Sequence, residues 1–193
     1  MTIFLVRHGE TEWNRARRYQ GWSDSPLTPE GCAQAEAIGR RLGTLPEAAG
    51  AAIVASPLGR ARRTAEIIAQ SLGRRAPIRF DDRLREISIG SWDGLDRRDI
   101  VARAPGLFAG DDGRWEWYFR TPDGETYDCV AGRIAAWLAE LGDEPVIAVS
   151  HGVVTRVLRG LYAGLPRAEA LSLAVPQDRI FRLAGGTIEE IAV

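Results

Sequence analysis

The chain contains no lysine: all 25 of its basic residues are arginine. Codon bias toward GC-rich triplets is the ordinary account of such a composition, and it needs no function. The physical consequence stands either way. Arginine keeps its proton and meets phosphate or carboxylate with a planar fork. Cysteine is equally scarce, with only Cys32 and Cys129, far apart and outside any C-x-x-C pattern. That excludes a disulfide framework and a structural zinc site, and both thiols read as reduced, buried small hydrophobes. No apolar run approaches membrane-spanning length, and the N-terminus enters a strand at once without a signal peptide. A soluble cytoplasmic protein is expected. The net charge of −1 offers nothing global to nucleic acid or to an anionic membrane. At 193 residues, one domain spanning residues 1–193 can bury its own core. Repeats, low-complexity tracts and linkers are absent.

Histidine is also rare, and its placement is the most informative feature. The chain has two, His8 in Leu5-Val6-Arg7-His8-Gly9 and His151 in Val149-Ser150-His151-Gly152. Each follows an apolar β-type run, from Thr2 to Val6 and from Val146 to Val149, and each is followed by glycine. Runs of that kind read as buried parallel strands of an α/β sheet, whose ligands bind at the carboxyl ends of the strands. Two imidazoles at two strand ends therefore point to one shared site. A lone histidine there would more simply be structural; the repeated placement argues otherwise.

Between these strands the pattern alternates. Tyr19 to Pro26 reads as an irregular loop. Thr28-Pro29 starts a helix as cap and first helical residue, with Ala35, Ile38 and Leu42 as its apolar stripe. Ala51 to Ala55 reads as a second strand. Ser56-Pro57 repeats the cap-and-proline start and leads a helix to about Leu72, with Ala61, Ala65, Ile68 and Leu72 along one face. Arg60 then lies in the first turn of a helix that follows a strand, where anions are commonly held. Asp81 to Trp92 reads as strand and loop. Leu95 to Gly124, rich in Asp, Gly and aromatics, reads as a short insertion with a short helix, and Asp93, Asp111 and Asp112 read as turn residues. Val130, Ile134, Trp137, Leu138 and Leu141 mark a helix before the Val146 strand; Val154, Val157, Leu158 and Leu161 mark the helix after His151. Short strands near Leu171 to Val175, Arg179 to Leu183 and Thr187 to Ile191 complete the sheet. The whole reads as a three-layer α/β/α sandwich with a mainly parallel central sheet.

One strand end thus offers Arg7, His8 and a flexible Gly9, a second presents Arg60, and a third offers His151. Converging on one crevice, they make a cationic pocket sized for a phosphoryl or carboxylate group. An acid is still needed, and Glu86 in Arg85-Glu86-Ile87 could point one inward, although an exposed loop carboxylate is the simpler reading of a glutamate. The aromatics of the insertion, including Trp92, Trp115, Trp117 and Phe119, either roof the pocket or pack locally, and local packing is the plainer reading.

At this point the chain resembles the histidine phosphatase superfamily, also called the phosphoglycerate mutase-like family. The resemblance rests on Leu5 to Thr11 with Asn14; on Tyr19-Gln20-Gly21-Trp22 with Pro26-Leu27-Thr28 and Gly31; on Ser56 to Ala61 with Thr64-Ala65-Glu66; on Leu84-Arg85-Glu86, Gly90 and Trp92-Asp93-Gly94; and on Ser150-His151-Gly152. These motifs run in order over nearly the whole chain. The resemblance implies that His8 is the nucleophile, passing through a phosphohistidine intermediate. Arg7, Arg60 and His151 would hold the phosphoryl oxygens. Asn14, Gln20 and Gly21 would add neutral contacts. Glu86 would protonate the leaving alkoxide and then accept a proton from water. The resemblance implies no cofactor and no metal, a small-molecule phosphate ester as partner, and admits a homodimer, for which no apolar edge in the sequence identifies an interface. Glu125 resembles a family helix start, and helix-end electrostatics accounts for it.

The same site serves phosphatases and mutases. After the acid, a mutase-like sequence would carry Arg and then Tyr-Gly, where this chain has Ile87, Ser88, Ile89 and Gly90. After Ser-His-Gly it would carry Asn, where this chain has Val153, and its covering insertion would be longer and more basic. Arg97 alone could stand where a mutase keeps a substrate-binding lysine. The balance favours a metal-independent phosphomonoesterase of the phosphatase branch, with a cofactor-dependent phosphoglycerate mutase as the alternative and a non-catalytic phospho-ligand binder as the second. The family's substrates include sugar phosphates, phosphoglycerate derivatives, nucleotide-type monophosphates and ribazole phosphate.

Overall fold

The computed structural model describes residues 1–73, 77–108 and 113–193. Asp111 and Asp112, read above as turn residues, lie outside the described residues. In chain order the elements are β1 (Thr2–Arg7), α1 (Glu12–Arg15), α2 (Pro29–Gly43), β2 (Ala52–Ala55), α3 (Gly59–Ser71), β3 (Arg79–Phe80), α4 (Arg97–Arg103), α5 (Gly113–Glu116), α6 (Tyr127–Ala139), β4 (Val146–Ser150), α7 (Gly152–Ala163), α8 (Arg167–Ser172), β5 (Arg179–Ala184) and β6 (Thr187–Ala192).

The strands form one six-stranded sheet in the order β3-β2-β4-β1-β5-β6. The pairs β3/β2, β2/β4 and β4/β1 are parallel; β1/β5 and β5/β6 are antiparallel. Because side chains alternate along a strand, each strand feeds two cores. Ile3, Leu5, Val146, Ala148, Phe181 and Leu183 pack on one face with Val130, Ile134 and Trp137 of α6 and Val154, Val157 and Leu158 of α7. Phe4, Val6, Ile53, Ala55, Ile147 and Val149 pack on the other with Ile38 and Leu42 of α2 and Ala61, Ala65 and Ile68 of α3. That is the expected three-layer α/β/α sandwich. Leu161, expected on the buried stripe of α7, is 37% exposed at that helix's last turn.

Three local expectations are corrected. Residues 171–175 form no strand: Leu171 ends α8, and the backbone beyond it is irregular. The carbonyls of Leu173, Ala174 and Val175 accept instead from Arg156, Arg159 and Arg7, so their hydrogen bonds go to guanidinium groups rather than to a ladder. Ser56 does not cap α3, which begins at Gly59 after an N-cap at Leu58 that has no side-chain bond. Asp24, from the loop before α2, accepts from the Gly59 and Arg60 amides in its place. Finally, Cys129 is exposed and Cys32 half-buried, so neither is a core residue; both are free thiols. Thr28 does cap α2, accepting from the Gly31 amide at 3.0 Å, with Pro29 at the first turn.

Candidate active site

The topology explains why the two histidines meet. β1 and β4 are adjacent parallel strands with Arg7 in register with Ser150. The His8 amide continues the ladder by donating to the Ser150 carbonyl at 2.9 Å. The residues just beyond both strand ends are therefore neighbours, and the His8 and His151 rings lie 5.2 Å apart at 55°. β2 flanks β4 on the other side, and its next residue, Ser56, pairs through Oγ with His151 Nε2 at 2.7 Å. Three strand ends in a row thus supply Ser56, His151 and His8.

His8 is 3% exposed. Its Nδ1 lies 2.8 Å from the Gly9 carbonyl, which can only accept, so Nδ1 carries the proton and Nε2 keeps its lone pair. Burial, reinforced by the nearby Arg60 and Arg7 charges, holds His8 well below the usual histidine range. His151 is displaced in the same direction by burial, Arg60, His8 and Arg7. Both rings are neutral near pH 7. The turn after His8 runs so close to α2 that a Cβ on Gly9 would overlap the Gly31 carbonyl. The Gly9 amide donates to Thr64 Oγ1 at 3.1 Å, tying this turn to α3 as well.

A cavity of about 540 Å³ opens over this strand end, lined among others by Arg7, His8, Asn14, Gln20 and Glu86. Five of the eight site residues expected from sequence meet there. Arg60 and His151 do not line it; Arg60 is close enough to depress the proton affinity of His8, and the His151 ring lies 5.2 Å from the His8 ring. Arg60 is buried and bound to the loop: its NH1 donates to Asp24 at 2.8 Å and to the Ser23 carbonyl, and its NH2 to the Gly21 carbonyl at 2.7 Å. Gly21 is also outside the cavity wall, and its amide donates to Asp93 at 2.8 Å rather than being open to a ligand. Three buried nitrogens of this cluster, Arg7 Nε, Arg60 Nε and His151 Nδ1, have no hydrogen-bond partner among the described residues. Buried donors without partners are costly, and phosphoryl oxygens would satisfy the two arginine nitrogens, and His151 Nδ1 in the tautomer that protonates it.

Glu86 points inward and is 6% exposed. Its Oε1 accepts from the Ile87 amide at 3.0 Å and the Val154 amide at 3.3 Å, and its Oε2 from the Val153 amide at 3.2 Å. The carboxylate thus sits at the N-terminus of α7, one residue past His151, where free amides and the helix dipole favour an anion. Asn14 is bound on both sides, accepting from the Gln177 side chain at 2.9 Å and closing the capping box of α1 with Thr11. Gln20 accepts from Thr11 Oγ1 at 2.7 Å and donates to Ser25 at 3.0 Å.

Several residues on which the site depends were not read as site residues from the sequence. Arg133 of α6 donates to the carbonyls of Arg83, Arg85 and Glu86 and pairs with Glu125, which also accepts from the Ser88 amide at 2.8 Å. Glu125 is therefore half of a clamp on the segment that carries Glu86, which corrects its reading as a helix-end charge. Asp93 is more than a turn residue, since it accepts from the Gly21 and Ser23 amides and holds the loop that binds Arg60. Gln177 donates to the His8 carbonyl at 3.1 Å. Of the insertion aromatics, Trp115 lines the cavity, while Trp92 and Trp117 pack with Ile100 and Phe119 packs on Tyr127. Tyr118 also lines the cavity, and burial pushes its hydroxyl up, so it remains a neutral O–H.

An α/β/α sandwich that gathers two histidines, two arginines and a carboxylate around the carboxyl ends of its central parallel strands is the architecture of the phosphoglycerate mutase-like fold. A family model of the histidine phosphatase superfamily (branch 1) matches residues 3–185. The chain belongs to that superfamily and is an enzyme of the phosphatase class. It is similar to the protein named "Probable phosphoglycerate mutase GpmB" of Citrobacter koseri, 41% identical over 178 residues, 86% of this chain and 76% of the relative. Among solved structures, YhfR of Bacillus stearothermophilus superposes with a TM-score of 0.82 at 35% identity, covering 99% of this chain and 95% of that one. A mycobacterial glucosyl-3-phosphoglycerate phosphatase in complex with VO3 superposes with a TM-score of 0.80 at 31% identity, covering 99% and 96%. Among the described residues no helix is long and apolar enough to cross a membrane, and no group of three or more His, Cys, Asp or Glu could hold a metal ion.

Proposed function

We propose that the chain hydrolyses phosphomonoesters of small metabolites through a phosphohistidine at His8, without a metal ion. One observation carries the reading: His8 is held neutral with its proton on Nδ1, so that Nε2 is a nucleophile, in the same cavity as a buried carboxylate. In the first step Nε2 forms a bond to phosphorus, and the bond from phosphorus to the leaving oxygen breaks. Glu86 passes a proton to the departing alkoxide. Arg7 from the cavity wall, and the buried Arg60 and His151 beyond it, would offset the charge on the three equatorial oxygens, and the unpartnered nitrogens of these three residues support that role. In the second step Glu86 takes a proton from water, the water oxygen bonds to phosphorus, and the P–N bond breaks. Phosphate leaves, and Glu86 holds the proton for the next cycle. Asn14 and Gln20 line the entry and place the ester.

Mutase chemistry is the second reading, favoured by the name of the Citrobacter koseri relative. Ile87, Val153 and the short insertion support the phosphatase. We place the enzyme in the cytoplasm, acting on a soluble ester; the net charge of −1 supports a partner that is neither nucleic acid nor membrane. The family resemblance is the sole support for a homodimer. The deciding experiment is a phosphorus NMR time course in EDTA with 3-phosphoglycerate, a trace of 2,3-bisphosphoglycerate and several unrelated phosphomonoesters. Growth of inorganic phosphate is expected. A 2-phosphoglycerate signal without phosphate release would overturn the reading in favour of the mutase.

A further inference from the structure

Ser56 takes no part in capping α3, yet both it and His151 are completely buried. Its backbone is pinned: the Ser56 amide donates to the Val149 carbonyl at 3.0 Å, carrying the β2/β4 ladder one residue past β2. Its Oγ accepts from the Leu58 amide at 3.3 Å and lies 2.7 Å from His151 Nε2. Among the described residues these are the two partners of the hydroxyl.

Counting donors decides which group gives the proton in the shorter contact. A hydroxyl has one proton and can accept twice; a neutral imidazole has one N–H and one lone pair. The Leu58 amide can only donate, so it takes an acceptor position on Oγ. The Ser56 proton then has one acceptor within reach, the lone pair of His151 Nε2. A proton on Nε2 instead would make Oγ accept twice and leave the Ser56 proton buried without a partner, a costly arrangement. The proton of the neutral His151 ring is therefore on Nδ1. That nitrogen is buried with no hydrogen-bond partner among the described residues. The charged side chains around the ring, Arg60, Arg7 and Arg133, are guanidinium groups, which donate and cannot accept. An oxygen of a phosphoryl group at His8, whose ring lies 5.2 Å away, supplies the acceptor.

We infer that Ser56 is a positioning residue: by donating to Nε2 it fixes His151 in the Nδ1–H tautomer and so makes His151 a hydrogen-bond donor to the phosphoryl group. The inference rests on the phosphatase reading above for the identity of the ligand, and adds to it the group that sets the state of His151. Ser56 acts through the ring and touches no substrate. The two histidines thus hold the same tautomer for opposite work. At His8 a carbonyl that only accepts keeps the proton on Nδ1 and frees Nε2 to attack; at His151 a hydroxyl that must donate occupies Nε2 and leaves Nδ1–H to bind.

Long-range proton–nitrogen correlation spectra of the imidazole rings test it directly, because the chain has only two histidines and His8→Asn assigns them. Near neutral pH the ligand-free wild-type protein should show the His151 proton on Nδ1, with Nε2 as an acceptor. In Ser56→Ala the Nδ1–H form should lose most of its population. Inorganic phosphate and orthovanadate should then bind about tenfold more weakly, in proportion to the donor form that remains. kcat/KM should fall by a similar factor for p-nitrophenyl and alkyl phosphates alike, since no leaving-group proton is involved. Ser56→Thr, which keeps the hydroxyl, should restore the tautomer and most of the affinity. His8 should keep its own tautomer throughout, which separates the effect from a general loosening of the fold. A wild-type His151 with its proton on Nε2 would overturn the inference, and that result needs no variant to fold. A Ser56→Ala protein with unchanged tautomer and phosphate affinity would overturn it equally. Phosphate release separates the two readings: none from any ester sinks the phosphatase while the spectra still decide Ser56, and turnover beside an Nε2–H ring sinks Ser56 alone.

Discussion

His8 and His151 stand 5.2 Å apart at the ends of two adjacent parallel strands, one ring fixed by the Gly9 carbonyl and the other by the Ser56 hydroxyl. The relation follows from strand register, since Arg7 pairs with Ser150. Each residue of that pair is followed by a histidine and then by a glycine. Preserving the β1/β4 ladder preserves the juxtaposition of the two rings. The chemistry is therefore built at the buried centre of the sheet.

Glu86 is assigned the proton transfer to the leaving group. Glu86→Gln keeps the shape and one of the two oxygens that accept from backbone amides, and removes the transferable proton. It should lose roughly 100-fold or more in kcat with alkyl phosphates and much less with p-nitrophenyl phosphate, whose leaving group needs no proton. Steady-state rates across a series of leaving groups measure this. Equal losses across the series would remove Glu86 from the acid role.

Arg133 is a positioning residue that acts through the same carboxylate. Its guanidinium reaches three carbonyls of the segment from Arg83 to Glu86 and the Glu125 carboxylate, and it never lines the cavity. Arg133→Ala should reproduce the leaving-group pattern of Glu86→Gln in weaker form, by about tenfold. Arg133→Lys should restore little, because one ammonium cannot hold a spread set of acceptors. A uniform loss with all esters would mean that Arg133 supports the fold and not the acid.

The two buried imidazoles set a pH dependence. Both are held below the ordinary value of about 6.5, so the unfolded chain takes up protons there while the folded chain does not. Stability is then fully present above pH 6.5 and falls as pH drops below it, by at most about 1.4 kcal/mol per pH unit for each ring. Melting temperatures from pH 8 to pH 5 should decline on the acid side, and less steeply in His8→Asn. For the same reason kcat/KM should show no loss of the nucleophile at pH 6.5. An unchanged acid slope in His8→Asn would contradict the assignment.

Asp24 joins the loop to α3. It caps the helix through the Gly59 and Arg60 amides and pairs with the buried Arg60 guanidinium at 2.8 Å. Asp24→Ala should cost about 1–2 kcal/mol in urea unfolding, as expected for a lost cap with a partly exposed pair. It should also raise KM for every phosphomonoester, because Arg60 loses its hold. Unchanged stability and KM would show that the Ser23 and Gly21 carbonyls suffice.

Much of this was legible in the chain because it is local. The buried runs before His8 and His151 announce their strands, and Thr28-Pro29 announces α2. The convergence of Arg7, His8 and Glu86 was expected from the strand ends and the family resemblance. Interactions between distant segments were not legible. Arg133 and Glu125 look like surface charges until α6 packs beside the Arg83–Glu86 segment, and Ser56 looks like a cap until Asp24 arrives from another loop. The segment from Leu171 to Val175 has the apolar character of a strand, but its carbonyls bind arginines that only the folded sheet brings near. That the Gly21 amide is occupied was not legible for a similar reason: Asp93, remote in sequence, accepts from it.

The central claim is the phosphohistidine, and trapping it is the most direct test. Wild-type and Glu86→Gln protein are mixed with p-nitrophenyl phosphate, quenched in base within milliseconds to seconds, digested and analysed by mass spectrometry. The account predicts an acid-labile, base-stable phosphoryl group on the peptide carrying His8, accumulating further in Glu86→Gln and absent in an inactive His8→Ala. A phosphoryl group on another residue, or near-normal turnover by His8→Ala, would contradict it.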